Sequence, residues 1–303
     1  METTPLSKNG LFHLFIVYIV WSSTYLAIRV AVGEGSGFPP FAMGASRLAI
    51  VGIVLLAFAY IRKNKLIITA KELLIISISS VFLWTGGNGL LLWAEQHTYS
   101  GLAALLVSTT PMWAALLDSI FSKKTPSSLL IGSIFLGLGG IAVLIYPSLR
   151  AGNSADYISG LLLVGASLCW AAGSVYQKRN PIDVPDTVIA GYQTIIGGCS
   201  FLILSLLFNE PTPQPTQNAW LAWGYLIVFG SVFAFTSYVR ALRLLPINIM
   251  MTYAFVNPVL AVFLGWLILG EKITNWTIAG AALVVLGVFG VFREQQKLGE
   301  RIN

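Results

Sequence analysis

The 303-residue chain is poor in charge: 10% of its residues are Asp, Glu, Lys or Arg, against about 25% in soluble domains. That deficit excludes an ordinary water-soluble globule. Two cysteines say little about redox compartment. Cys169 and Cys199 both fall in apolar segments and read as buried thiols. No Gly-rich Walker-type loop is present, which argues against ATP hydrolysis within this chain. The apolar segments hold no paired catalytic carboxylates, His–Glu metal spacing or Ser/His constellation, so no enzyme and no cofactor is expected. The net charge of +6 is scattered through short loops, which is not a nucleic-acid signature.

What is present is hydrophobic length. The chain is 56% hydrophobic, and apolar runs recur from end to end. Each run is about 20 residues, the length that crosses a bilayer core as a helix. Barrel strands are far shorter, and in lipid every backbone polar group needs an internal partner. Gly, Pro and charge clusters divide the chain into ten spans near 11–32, 41–61, 73–94, 101–121, 128–146, 157–177, 187–208, 219–241, 248–269 and 275–292. The first run is longer than the 7–15 residues of a signal-peptide core. With a cytoplasmic N-terminus, 14 Lys and Arg residues fall on the cytoplasmic side and 3 on the other, with Arg47 left inside a span. That bias supports both the count and the direction, with both termini cytoplasmic and the chain integral to a plasma or inner membrane.

The two halves, 1–150 and 151–303, resemble each other. Shifted by 147 residues, "AEQHTYSGLAALLVSTTP" (94–111) falls on "ALRLLPINIMMTYAFVNP" (241–258), Pro111 on Pro258, and Gly140 on Gly287. With small loop adjustments Trp21 falls on Trp170, Arg47 on Gln193 and Gly52 on Gly198. Five helices is an odd number, so the second copy must point the other way. The expected fold is therefore an all-α polytopic membrane protein, ten transmembrane helices in two inverted five-helix repeats. Such repeats build secondary transporters with a mid-membrane site.

A Trp in helix one, an Arg early in helix two, the Ala94…Pro111 spacing and its return as Ala241…Asn257-Pro258, with "LGEKIT" (269–274) closing helix nine, resemble the drug/metabolite transporter superfamily, EamA type. The resemblance spans about 11–292 and implies ten helices, cytoplasmic termini and export of metabolites, amino acids or drug-like solutes. Two positions depart from its pattern: Lys123 and Lys124 stand where the first repeat often ends in Gly-Glu, and Glu95 stands where an apolar residue is usual.

Polar groups inside spans usually face a cavity or one another. Arg47, costing about 2.5–3.5 kcal/mol at a span centre, is a candidate for a substrate carboxylate or a structural anchor. Trp84, Asn88, Leu91 and Glu95 share a face of helix three. Glu95 is either a wetted helix end or a group that titrates with substrate exchange. Trp21 and Tyr25, with Trp170 across the repeat, are candidates to line a pocket for ring-bearing solutes. Gln193, Tyr238, Tyr253 and Asn257 are further candidates. Pro111 and Pro258 read as hinges near the middles of helices four and nine, with Ser108, Thr109, Thr110 and Asn257 supplying polar groups to the freed carbonyls. Asp118, one turn from Lys123 and Lys124, reads as a Lys-neutralised gate residue, with a proton carrier as the alternative.

The expected partners are the bilayer, a small-molecule substrate and a proton as candidate coupling ion; the oligomeric state is open. The alternatives are an uncoupled facilitator or exchanger, or a non-transporting membrane partner.

Overall fold

The computed structural model describes residues 7–123, 125, 127–150 and 154–302. Among these there is no strand, and ten apolar helices follow one another: α1 Lys8–Val32, α2 Pro40–Ile61, α3 Ala70–Ala94, α4 Ser100–Phe121, α5 Ser128–Arg150, α6 Ser154–Arg179, α7 Asp186–Leu207, α8 Gln217–Leu244, α9 Tyr253–Leu269 and α10 Asn275–Ile302. Eight have segments long and apolar enough to cross a membrane; the apolar parts of α9 and α10, Val256–Leu269 and Asn275–Val291, are shorter. Lipid-type side chains such as Ile53, Phe135, Leu206 and Leu267 cover the outside. Cys199 stands on this exposed face and Cys169 is half-buried, so neither is the enclosed thiol expected. Composition says only that a residue suits an apolar setting, and lipid is one.

Local signals set the helix starts. Thr69 and Glu72 form a reciprocal capping box on α3, with Thr69 N donating to Glu72 at 2.7 Å and Glu72 N to Thr69 at 3.2 Å. Pro40 occupies the first turn of α2, where a missing N–H costs nothing. Small residues set the closest helix approaches. In the α5–α10 contact a Cβ on Gly287 would lie 2.8 Å from Gly137 N, and one on Gly140 2.7 Å from Val284 N. In the α2–α7 contact a Cβ on Gly198 would lie 3.2 Å from Ala49 N. The other main contacts are α1 with α8 and α9, α6 with α3 and α4, and α4 with α9.

The interruptions are not where proline alone would put them. α4 breaks at Ser108–Thr109 into Ser100–Val107 and Thr110–Phe121, so Pro111 lies in the first turn of the second piece rather than mid-helix. The Ser108, Thr109 and Thr110 hydroxyls donate to the carbonyls of Leu105, Leu106 and Val107 at 2.6–2.8 Å, taking over the acceptors that a continuous helix would use. Pro258 does lie inside α9, but the interruption precedes α9 altogether, after the single turn Ile247–Met250. A further proline, Pro147, lies inside α5. α3 and α8 each carry an eight-residue π-helical segment, Val81–Asn88 and Leu226–Phe233.

Polar side chains tie the two ends of the bundle. At one end Arg29 donates to the carbonyls of Glu95 and Gln96 at 2.7 and 2.5 Å, closing the C-terminus of α3. There Glu210 accepts from Phe41 N and Ala42 N on α2, and Glu271 from Ser100 N and Gly101 N on α4. At the other end Lys178 donates to the carbonyls of Leu242 and Leu245, each at 2.8 Å, closing α8. Asp186, at the start of α7, there binds Arg240 and Arg243 at 2.6 and 2.9 Å.

Candidate functional site

Within the bundle lies a cavity with about 70 Å³ of space for solvent, placed between helices as small-molecule sites in bundles are. Its walls come from α1 (Trp21, Tyr25), α2 (Arg47), α3 (Trp84, Asn88, Leu91), α6 (Trp170), α8 (Leu226, Gly230, Ser231) and α9 (Tyr253). Two regions of wall differ sharply. In the first, Arg47 is 3% exposed and reaches Asn88 Oδ1 at 2.5 Å, with its guanidinium carbon 5.6 Å from the centroid of the Trp84 ring. Among the described residues no carboxylate pairs with Arg47. Arg47 Nε and Trp84 Nε1 are both buried without an acceptor. In the second region the rings of Trp21 and Trp170 meet edge to face at 5.4 Å. Tyr238 lies 4.9 Å and Tyr253 5.5 Å from Trp21. The Tyr238 hydroxyl accepts from Trp170 Nε1 at 3.1 Å and bonds Ser174, which fixes the Trp170 ring.

Seven of the sequence candidates thus meet at one cavity: Trp21, Tyr25, Arg47, Trp84, Asn88, Trp170 and Tyr253. Tyr238 stands behind the two tryptophans and buttresses them. Asn257 bridges α1 and α9 outside the wall, 3.1 Å from Ser22 Oγ; in the orientation that satisfies its amide it donates to Tyr18 O and Tyr253 O. Gln193 is away from the cavity: its amide nitrogen donates to Ser79 Oγ and Gln177 Oε1 at 2.8 and 2.9 Å. Glu95 is not a wetted helix end but fully buried, because Arg29 folds over the end of α3. It is also off the cavity wall. Asp118 is half-exposed, and its partner among the described residues is Arg179 of α6 at 2.9 Å rather than Lys123; Lys124 lies outside the described residues. Helix packing brings α6 alongside α4, and a guanidinium from a neighbour outreaches a lysine beyond the helix end.

The π segments are what sequence reasoning missed. Both face the cavity, one with Trp84, Gly87 and Asn88, the other with Leu226, Gly230 and Ser231. A π turn lengthens the hydrogen-bond ring and is frequent at functional sites. Trp21 Nε1 donates to Gly230 O at 3.2 Å inside the second segment. Thr24 is a further unforeseen wall residue. A signal existed in the first half: the Gly-rich "TGGNG" at 85–89 overlaps the end of the first π segment.

A polytopic helical bundle around a walled cavity with an uncompensated cation is the architecture of a solute transporter. The EamA-like transporter family model matches residues 8–146 and again 158–293, and the chain belongs to that family. It is 36% identical to the uncharacterized inner membrane transporter YedA of Escherichia coli (strain K12), over 92% of this chain and 90% of YedA. It is 25% identical to the uncharacterized transporter YoaV of Bacillus subtilis (strain 168), over 90% of this chain and 93% of YoaV. The S-adenosylmethionine/S-adenosylhomocysteine transporter of Chlamydia trachomatis serovar L2 is also 25% identical, over 97% of this chain and 92% of that protein. A crystal structure of a protein 21% identical to this one superposes with a TM-score of 0.69, covering 97% of this chain and 99% of that one; it bears on the fold alone. The chain is therefore a membrane transporter of small molecules.

Proposed function

We propose that this chain is a secondary exporter of small organic solutes that carry an oxyanion on a flat, ring-bearing body: amino acids or drug-like metabolites. The observation that carries the reading is Arg47, a buried cation with no counter-ion, presented to a cavity whose opposite wall is aromatic. Arg47 Nε and Trp84 Nε1 are donors awaiting acceptors, and a carboxylate supplies acceptors in matching planar geometry. The rings of Trp21 and Trp170 offer the apolar body a face and an edge. The relative named for S-adenosylmethionine handles a solute that joins an aromatic base to an amino-acid carboxylate, a combination of the same kind.

Alternating access of two inverted five-helix units, α1–α5 and α6–α10, is the mechanism. In support, the main helix contacts map onto one another when each helix is exchanged for the one five later: α1–α8 becomes α6–α3, α1–α9 becomes α6–α4, and α2–α7, α4–α9 and α5–α10 map onto themselves. Arg29 closing α3 and Lys178 closing α8 are mates of the same kind at opposite ends. The Lys178 end carries most of the basic residues and is placed in the cytoplasm, with both termini, in a plasma or inner membrane. A proton is the coupling ion of this reading.

The test is flux into proteoliposomes of L-tryptophan, phenylacetate and S-adenosylmethionine, with tryptamine and glucose as solutes lacking a carboxylate. At least one of the first three is expected to move and to be blocked by Arg47→Gln. Tryptamine moving as fast as tryptophan, in wild type and variant alike, overturns the reading.

A further inference from the structure

Glu95 is left out of the cavity, yet nothing in the fold satisfies it. It is 0% exposed, and neither carboxylate oxygen has a hydrogen-bond partner. Arg29 of α1 lies beside it, but the Arg29 guanidinium donates to the backbone carbonyls of Glu95 and Gln96 and not to the carboxylate. The other charged or titratable groups that reach it are Tyr25 of α1 and Glu271, in the link from α9 to α10. Glu271 is the opposite case: its carboxylate accepts from Ser100 N, Ser100 Oγ and Gly101 N at 2.8, 2.8 and 3.0 Å, at the start of α4. An ionised carboxylate without donors in a dry interior is costly, and a second carboxylate nearby adds to the cost. Burial and Glu271 hold the Glu95 carboxyl well above the usual carboxylate range, against the smaller opposing pull of Arg29.

The position matters as much as the missing partners. Tyr25 and Leu91, the latter one turn before Glu95 on α3, line the central cavity. Arg29 and Glu271 line a separate vestibule of about 370 Å³ at the end of the bundle. Glu95 thus lies within electrostatic reach of groups that line two spaces, Tyr25 on one and Arg29 and Glu271 on the other. No group of three or more His, Cys, Asp or Glu side chains that could hold a metal ion occurs among the described residues.

We infer that Glu95 is the proton-binding site of the transport cycle, loaded in the conformation described here. The inference rests on the transport reading above and adds the coupling step to it. Hydronium in the vestibule gives up the proton and becomes water, forming Glu95–COOH once solute has left the cavity. When the bundle opens the other way, water in the cavity reaches Glu95 past Tyr25 and takes the proton as hydronium, leaving the carboxylate. One proton moves in for one solute out, and no other bond is made or broken.

The first test needs no solute. Infrared difference spectra of the full-length protein in phosphatidylcholine liposomes, titrated from pH 5 to 10, are expected to contain the C=O stretch of a protonated carboxyl that fades as pH rises. E95Q should lack it and E34Q, at an exposed glutamate, should keep it. E95D, which retains an acid, should show the band shifted; it covers the case in which E95Q does not fold. A spectrum unchanged in E95Q overturns the inference. So does a Glu95 band that stays through the whole titration, or one that sodium ions remove and pH does not. The second test uses L-tryptophan. At one proton per solute, a gradient of one pH unit drives up to about tenfold accumulation; E95Q should fall to no accumulation while keeping tryptophan–tryptophan exchange. Gradient-driven accumulation that persists in E95Q overturns the inference. Absence of all tryptophan, phenylacetate and S-adenosylmethionine movement in wild type counts against the transport reading, and the infrared result then stands alone.

Discussion

Arg47 of α2 and Gln193 of α7 hold matching places in the proposed repeat, on helices packed directly against each other, and they do opposite things. Arg47 reaches into the cavity with one nitrogen bonded to Asn88 and another unsatisfied. Gln193 turns its amide nitrogen away from the cavity to Ser79 and Gln177, its backbone carbonyl accepts from Ser80 Oγ at 2.7 Å, and its Oε1 is buried without a donor. One position is left open for a ligand and the other is spent on joining α7 to α3 and α6. Across the proposed repeat the cavity is chemically asymmetric. The first half supplies the cation, its amide partner and the tryptophan beneath it. The second supplies rings, a glycine and a hydroxyl, and no charge. In the function proposed above, that polarity would orient an amphipathic solute, oxyanion toward α2 and apolar body toward α6.

Removing the open side of the pair should do most damage. Arg47→Ala is expected to lower initial flux of any carboxylate solute by about 100-fold, the scale of a lost buried charge contact. It also leaves Asn88 Oδ1 unpaired. Arg47→Lys keeps charge but not the planar fork, so a loss of about tenfold is expected, read as a rise in half-saturation concentration. A variant as active as wild type would mean that the cation is structural. Trp170→Ala, on the apolar wall, should weaken binding by about tenfold for ring-bearing solutes, from the loss of an aromatic contact, and much less for acetate-sized ones; competition binding distinguishes the two.

Changes to the closed side should touch stability instead. Gln193→Ala breaks the link to Ser79 and Gln177, and thermal unfolding should show a loss of about 1–3 kcal/mol with flux preserved. A flux defect as large as that of Arg47→Ala would erase the contrast. Asp118→Asn is expected to matter least. Its pair with Arg179 is half-exposed, and such pairs contribute about 1 kcal/mol or less, so flux and its pH dependence should both stay unchanged. Lost pH dependence in this variant, with E95Q normal, would move the proton site to the other end of the bundle.

The parts of this molecule legible beforehand are those set by solvation of a local window. Ten apolar runs name ten helices, because a span of that length has no other way to satisfy its backbone in lipid. Arg47 stood out for the same reason, since a lone cation in a run of apolar residues is expensive wherever the helix goes. The aromatic pair Trp21 and Trp170 was found through the repeat. Hinge placement was less legible. Proline marks where a hydrogen bond is missing, but three consecutive hydroxyls moved the break in α4 two residues upstream of Pro111.

The sequence by itself therefore determined the class of protein, the number of apolar helices, the lone intramembrane cation and the aromatic residues of the cavity wall. Only the tertiary structure decided that Glu95 is sealed without a partner, that Gln193 faces away from the cavity, that Asp118 belongs to Arg179, and that α3 and α8 loosen into π turns where they meet it. The physical reason is range. Hydropathy is summed over neighbours in the chain, whereas a side chain's partners and burial depend on which helix packs against it, and for Glu95 and Gln193 those partners lie on other helices, far along the chain.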